Sequence, residues 1–107
     1  MEKIVEQGLL FDFYGELLTP HQKSIYEEAV SEDLSLSELA EEHGISRQGV
    51  HDLIKRCDKI LLEYEEKLHL IEKFQKTKEI ADQIHAIAVQ NHNQEIQKLS
   101  MQIINEL

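Results

Sequence analysis

The sequence predicts an all-α protein, in which a helix-turn-helix bundle is followed by a long C-terminal helical extension. Apolar residues recur at intervals of three and four along most of the 107 residues, which is the period of an α-helix. The chain has one Pro and four Gly, and neither type occurs after Gly49. Ser and Thr stand in front of the periodic stretches, where helix N-caps are expected.

The first periodic stretch, residues 4–18, is rich in aromatic side chains: Phe11, Phe13 and Tyr14. Such a helix could offer a face to a partner. Aromatic residues more often fill the core of a small domain, so we favour the core interpretation.

Capping signals predict the start of the second helix, over about residues 20–31. Thr19 occupies the N-cap position, Pro20 suits the first helical position, and Gln22 completes a capping box.

The third and fourth helices form the predicted helix-turn-helix. Ser35 and Glu38 make a capping box at the start of helix 35–43. Gly44 fits the left-handed residue that ends such a helix, and Ser46 can cap the next one. Two helices joined by a short Gly turn are typical of DNA-binding helix-turn-helix units.

The recognition helix, about residues 46–61, separates apolar from polar side chains. One arc carries Val50, Leu53, Ile54, Cys57 and Leu61. The opposite arc carries Gln48, His51, Asp52, Lys55 and Lys59. The candidate nucleic-acid-binding residues are these five together with Arg47 at the helix start and Arg56 at its flank. Gln can pair with adenine and Lys can donate to guanine, while Asp could accept from cytosine or repel phosphates. An ordinary helical hairpin with a solvated outer side is the alternative.

No helix-stopping residue follows this helix. We expect it either to run on or to break near residues 75–77, where Thr77 could cap a new helix. This gives a bundle at residues 1–74 and a helical extension at residues 75–107.

The extension has apolar residues at alternating intervals of three and four from Ile80 onward, with Asn91 in an otherwise apolar slot. This spacing is typical of a coiled-coil seam, in which one Asn can set the register. The extension could pair two copies as a homodimer, or fold back over the core of its own chain.

The composition limits the possible functions. The formal net charge is −10, whereas nucleic-acid-binding domains are normally basic. Most of the positive charge lies in residues 47–78. No stretch is apolar and long enough to span a bilayer, and no leader is recognisable, so we expect a soluble, cytoplasmic protein without membrane contact.

Neither catalysis nor metal binding is expected. The six His are scattered without the spacing of zinc ligands, so we interpret them as isolated surface residues. Cys57 falls on the apolar arc, where a thiol behaves as a small hydrophobic group. The sequence has no phosphate loop or Gly-rich fingerprint, and we predict no enzyme, no cofactor and no metal.

Five segments carry a family resemblance: FDFY at 11–14, LLT at 17–19, SLSELAEEHGISRQGVHD at 35–52, IKR at 54–56 and YEEKL at 64–68. The central segment also resembles the fourth region of sigma factors. With its flanks, the stretch 10–70 resembles the YlxM family of small helix-turn-helix proteins. The resemblance implies a sigma region-four-like bundle with a helical extension. It also implies a role in the signal recognition particle pathway, because family members are encoded beside the particle GTPase.

Two functions follow from these observations. The first is a regulatory protein that contacts DNA or the particle RNA through helix 46–61. The second is a protein-binding accessory factor that contacts the particle GTPase and keeps the helix-turn-helix only as a scaffold. The residue chemistry of the recognition helix favours the first function. The acidic net charge favours the second.

Overall fold

A computed structural model describes residues 2–107, and these residues form six α-helices and no strand. The helices are α1 (Lys3–Tyr14), α2 (Pro20–Val30), α3 (Leu36–His43), α4 (Arg47–Leu68), α5 (Leu70–Gln90) and α6 (Gln94–Glu106), and a 3-10 turn follows α1 at Gly15–Leu17. The predicted all-α class is confirmed.

The chain divides into two compact units between His69 and Leu70. We call them the N-terminal unit, which contains α1 to α4, and the C-terminal hairpin, which contains α5 and α6. Compactness alone does not show that either unit folds by itself, so the domain boundary expected at residue 74 stays a prediction.

The predicted capping boxes are confirmed at both helix starts. Thr19 Oγ1 accepts from the Gln22 N–H of α2 at 3.2 Å, and Ser35 Oγ accepts from the Glu38 N–H of α3 at 3.1 Å. In each box the side chain of the third helical residue accepts from the N-cap N–H, at 3.1 Å. These bonds satisfy backbone donors that a helix cannot satisfy itself.

The core of the N-terminal unit joins α2, α3 and α4. Ile25, Leu39 and Val50, one from each helix, are completely buried in contact with each other. They are surrounded by the partly buried residues Ala29, Leu34, Leu36, Ala40, Ile45, Leu53 and Ile54. This three-helix cluster holds the helix-turn-helix in place.

Helix α1 adds aromatic side chains to this unit. Tyr14 is almost completely buried, and its ring centroid lies 6.0 Å from that of Tyr64. The ring centroid of Phe11 lies 5.9 Å from that of Tyr26. Both contacts agree with the core interpretation of the aromatic stretch.

Helix α4 runs past Leu61 and ends at Leu68, so the break predicted at residues 75–77 is wrong. The chain turns at His69, which has left-handed backbone angles (φ 56°, ψ 30°) and donates its N–H to the Glu65 carbonyl at 2.8 Å. A left-handed residue other than Gly is uncommon, and no Gly or Pro marks this position.

The C-terminal hairpin consists of α5 and α6 joined by residues 91–93. Asn91 is exposed in this connection, so its predicted place in an apolar seam is wrong. His92 has a left-handed backbone (φ 53°), and the Asn93 side chain caps α6 by accepting from the Ile96 N–H at 3.1 Å.

Candidate nucleic-acid interface

The turn between α3 and α4 fixes the direction of the recognition helix. Gly44 ends α3 with φ 65°, a conformation that side chains disfavour. Ile45 packs against the three-helix core. Ser46 Oγ accepts from the Gly49 N–H at 2.9 Å and caps α4 as predicted.

The inner side of α4 is buried, which directs its polar residues outward. Val50, Cys57 and Leu61 are completely buried and lie on one arc of the helix. The amphipathic division expected for the recognition helix is therefore present.

The seven candidate residues lie along residues 47–59 of α4, and helical phase places Arg47 and Arg56 on opposite flanks of the polar side. Six of them are exposed: Arg47, Gln48, Asp52, Lys55, Arg56 and Lys59. The seventh, His51, is partly buried at the edge of this surface. We call these seven residues the α4 outer surface.

The four cationic side chains of the α4 outer surface have no internal partner. Within residues 2–107, none of Arg47, Lys55, Arg56 and Lys59 takes part in a salt bridge or side-chain hydrogen bond. Among the Lys and Arg of residues 2–107, only Lys23 of α2 forms a salt bridge, at 2.5 Å from Glu16. An unpaired cation keeps its charge and donors available to an external anion.

Two polar residues of this surface are already engaged with each other. Gln48 Nε2 donates to Asp52 Oδ1 at 2.9 Å, one helical turn away. His51 Nδ1 lies 3.6 Å from the same carboxylate oxygen, which is too long for a hydrogen bond. Sequence reasoning treated Gln48 as free to pair with adenine and did not find this internal bond.

A polar network below the surface ties α4 to α1 and α2. Asp58 Oδ1 accepts from the Tyr26 hydroxyl at 2.5 Å and from Gln7 Nε2 at 2.9 Å. Burial, followed by the bond to Asp58, raises the pKa of Tyr26 well above its usual range. Sequence reasoning missed this network because its members are far apart in the chain.

The cysteine does not have the surroundings of a nucleophile. Cys57 is completely buried, and burial, with a smaller effect of Asp58, raises its pKa to about 11. A reactive thiol needs the opposite shift and access to solvent.

One group of side chains in the N-terminal unit could hold a divalent cation. His43 Nε2 lies 3.0 Å from Glu28 Oε2, so the interpretation of His43 as an isolated residue is wrong. Glu42 completes a trio whose donor atoms lie within 4.8 Å of one another. The hydrogen bond with His43 lowers the pKa of Glu28, whereas hydrogen bonding with Glu28 raises that of Glu42. Exposed acidic groups such as these are common without a metal ion.

None of the helices in residues 2–107 is long and apolar enough to cross a bilayer.

Comparison with known proteins places the chain in a family. A family model described as "Putative helix-turn-helix protein, YlxM / p13 like" matches residues 1–102. The chain is 47% identical over 88 residues to the UPF0122 protein YlxM of Bacillus subtilis (strain 168), covering 82% of this chain and 80% of that protein. It is 53% identical over 73 residues to a UPF0122 protein of Clostridium botulinum (strain Alaska E43 / Type E3), covering 68% and 67%.

A third relative extends the similarity over most of the sequence. The chain is 41% identical over 101 residues to a UPF0122 protein of Geobacillus sp. (strain WCH70), covering 94% of this chain and 92% of that protein. The resemblance noted over residues 10–70 is confirmed, and the match includes the C-terminal hairpin. The chain belongs to the YlxM / p13-like family of helix-turn-helix proteins.

Proposed function

We propose that the protein is a non-enzymatic regulator that contacts nucleic acid through the α4 outer surface. The observation that carries the proposal is the set of four exposed cations on this surface without a partner in residues 2–107. The chain has a net charge of −10, so internal acidic partners are abundant. Cations that nevertheless remain unpaired are available to phosphate groups.

Charge along α4 supports contact through its N-terminal part only. After Lys59, α4 carries three acidic residues, Glu63, Glu65 and Glu66, and one basic residue, Lys67. Residues 47–59 extend over about 20 Å at the rise of an α-helix, which suits one helix end entering a groove. The acidic end of α4 then lies away from the nucleic acid.

Phosphate contact outweighs base reading in this proposal. The Gln48 amide donates to Asp52, so it must give up or share this bond to pair with a base. The four cations remain able to neutralise phosphates. Four such contacts on duplex DNA give a slope of about −3.6 for log K against log salt.

The RNA of the signal recognition particle is as suitable a phosphate-bearing ligand for this surface as DNA is. The family resemblance supports a regulator that acts in the cytoplasm, in the signal recognition particle pathway. The RNA of this particle presents phosphate groups that a protein can contact without reading a specific base sequence.

The alternative is a protein-binding accessory factor that contacts the particle GTPase. Residues 1–69 contain 16 acidic and 7 basic residues, a net charge of −9 that suits a basic protein partner. In this alternative the helix-turn-helix is a scaffold.

The two functions separate in one titration. The purified full chain is titrated against random genomic DNA fragments, the particle RNA and the particle GTPase, each at two salt concentrations. The double variant Lys55→Glu, Lys59→Glu should abolish nucleic-acid binding and leave the melting temperature unchanged, because both side chains are exposed and unpaired among residues 2–107.

A matched control changes the same charge elsewhere. Lys78→Glu with Lys98→Glu alters two exposed lysines of the C-terminal hairpin and should keep most of the binding. Binding retained by the α4 variant would contradict the proposal. Binding of the wild-type chain to the GTPase alone would establish the alternative.

A further inference from the structure

Apart from Ile71 near the start of α5, the side chains that the C-terminal hairpin buries are small, and most of its large ones are exposed. Ala81 and Ala88 of α5 and Ser100 of α6 are almost completely buried between the two helices. Six large aliphatic side chains are 39–58% exposed: Ile80, Ile84 and Ile87 on α5, and Ile96, Leu99 and Ile103 on α6. We call these six residues the hairpin face.

Helical phase places all six residues on the same side of the hairpin. Each residue advances about 100° around an α-helix. Viewed along each helix from its N-terminus, all three of its exposed aliphatic residues therefore lie about 40–120° to the same side of the line where the two helices are in contact. Because α5 and α6 run antiparallel, the same sense on each helix is the same side of the pair. The opposite side carries mainly polar residues, including Lys78, Asp82, Gln94 and Lys98.

Two polar contacts fix how the triplets interleave. His85 Nδ1 lies 3.1 Å from Ser100 Oγ, and Gln97 Nε2 donates to the Ala88 carbonyl at 3.3 Å. In this register Ile103 lies level with the gap between Ile80 and Ile84, and Leu99 follows one step further along. The face is therefore one continuous apolar surface.

The size of this surface is what a pairing interface needs. Six aliphatic side chains, each about half exposed, form a patch of roughly 500 Å², near the upper limit for a monomer. Two such patches pressed together bury roughly 1,000 Å², the lower limit for a stable interface.

Charge identifies a second copy as the occupant. Residues 70–107 contain five acidic and four basic residues, a net charge of −1, whereas residues 1–69 carry −9. Hairpin-to-hairpin contact thus joins the part of each chain where self-repulsion is weakest. The outer margin of the face has Lys76 on α5 and Glu106 on α6, both exposed. These charges complement each other only when α5 of one copy lies on α6 of the other.

We propose that two copies pair through the hairpin face, with α5 of each copy packed antiparallel on α6 of the other to form a four-helix bundle. Lys76 of one copy then lies beside Glu106 of the second copy. This pairing does not depend on the proposed nucleic-acid contact, since it uses none of the α4 outer surface.

Light scattering of the full chain over a range of concentrations tests the pairing. The wild type should show twice the chain mass of 12.5 kDa. Leu99→Glu and, separately, Ile84→Glu should raise the dimer dissociation constant by about tenfold or more, because each places charges at the centre of the interface. Matched controls are Val89→Glu and Met101→Glu, which are 48% and 45% exposed on the other side of the hairpin and should stay dimeric.

A charge-reversal cycle tests the arrangement without touching the apolar residues. Lys76→Glu should weaken pairing about threefold, and adding Glu106→Lys to the same chain should restore it. Circular dichroism confirms that each variant remains helical. A wild type of 12.5 kDa at every concentration would assign the face to another partner and overturn the proposal. A dimer that survives both Leu99→Glu and Ile84→Glu would also overturn it, and absence of rescue would reject the α5-on-α6 arrangement.

Discussion

The N-terminal unit buries large side chains at its centre, whereas the C-terminal hairpin, apart from Ile71 near the start of α5, buries small ones and leaves most of its large ones exposed. In the N-terminal unit Ile25, Tyr26 and Leu39 are completely buried. In the hairpin the corresponding positions are held by Ala81, Ala88 and Ser100. A helix pair that buries so little apolar area gains little hydrophobic stabilisation from its own contact. The difference shows that the N-terminal unit contains its own core, and it supports our proposal that the hairpin face pairs with a second copy.

Charge divides the two units in the same way. The N-terminal unit carries a net charge of −9 and the hairpin −1. Within the acidic unit, four of the seven basic residues lie in residues 47–59 of α4. Most of the unit repels an anion, and the basic residues of the α4 outer surface attract one. This combination suits weak and salt-sensitive contact with an anion.

The largest effect that distinguishes the two regions is expected from Leu39→Ala. Leu39 is completely buried at the centre of the three-helix cluster, so its truncation leaves a cavity. We expect the free energy of unfolding to fall by about 2–5 kcal/mol. The control Leu62→Ala removes the same atoms from a side chain that is 40% exposed and should cost roughly 0.5 kcal/mol. Denaturant unfolding measures both, and equal losses would contradict a core centred on Leu39.

A smaller loss is expected from Tyr26→Phe, which removes only the hydroxyl that donates to Asp58. A hydrogen bond to a charged group contributes about 1.5–3 kcal/mol, so the loss should lie in that range. Tyr64→Phe is the matched control, because the Tyr64 hydroxyl has no hydrogen-bond partner in residues 2–107.

The raised pKa of Tyr26 predicts a pH dependence of the free energy of unfolding that Tyr26→Phe should lack. Folding raises the pKa of Tyr26, so its contribution is complete below the unfolded pKa of about 10 and is lost as the pH rises above it. Between pH 10 and 11 the wild type should lose about 1 kcal/mol more stability than Tyr26→Phe, because the unfolded hydroxyl is half ionised at pH 10 and almost fully ionised at pH 11. Parallel pH profiles would show that folding does not raise the pKa of Tyr26.

Local signals made much of the fold predictable. The caps at Thr19, Ser35 and Ser46 and the turn at Gly44 depend on residues within three positions of each other, so a short sequence window contains all the chemistry. The outward side of α4 followed from helical period alone. The domain boundary at residue 74 and the role of the site residues remain predictions.

Other features depend on information that a short window lacks. His69 and His92 adopt left-handed angles that sequence reasoning assigns to Gly or Asn, so neither helix end was found. The bonds that join Asp58 to Gln7 and Tyr26 span 51 and 32 residues. These groups come together only because α1, α2 and α4 pack against each other, and that packing cannot be inferred from a single sequence.

The smallest effect is expected from a change of Asp52, the one acidic residue of the α4 outer surface. Its carboxylate lies among cations that we propose to contact phosphates, so it should repel the same phosphates. Asp52→Asn keeps the oxygen that accepts from Gln48 and removes only the charge. We expect affinity for DNA or RNA to rise about fivefold at low salt and less at high salt, because screening weakens the repulsion.

The matched control Asp82→Asn removes one charge from an exposed residue of the hairpin and should leave affinity nearly unchanged. Fluorescence anisotropy with labelled duplex and with the particle RNA measures both variants. A loss of affinity in Asp52→Asn would mean that the carboxylate accepts from a cytosine, and the α4 outer surface would then read bases directly. If the affinity changed in neither variant, the nucleic acid would bind elsewhere. The α4 outer surface would then lack the role that separates the N-terminal unit from the hairpin.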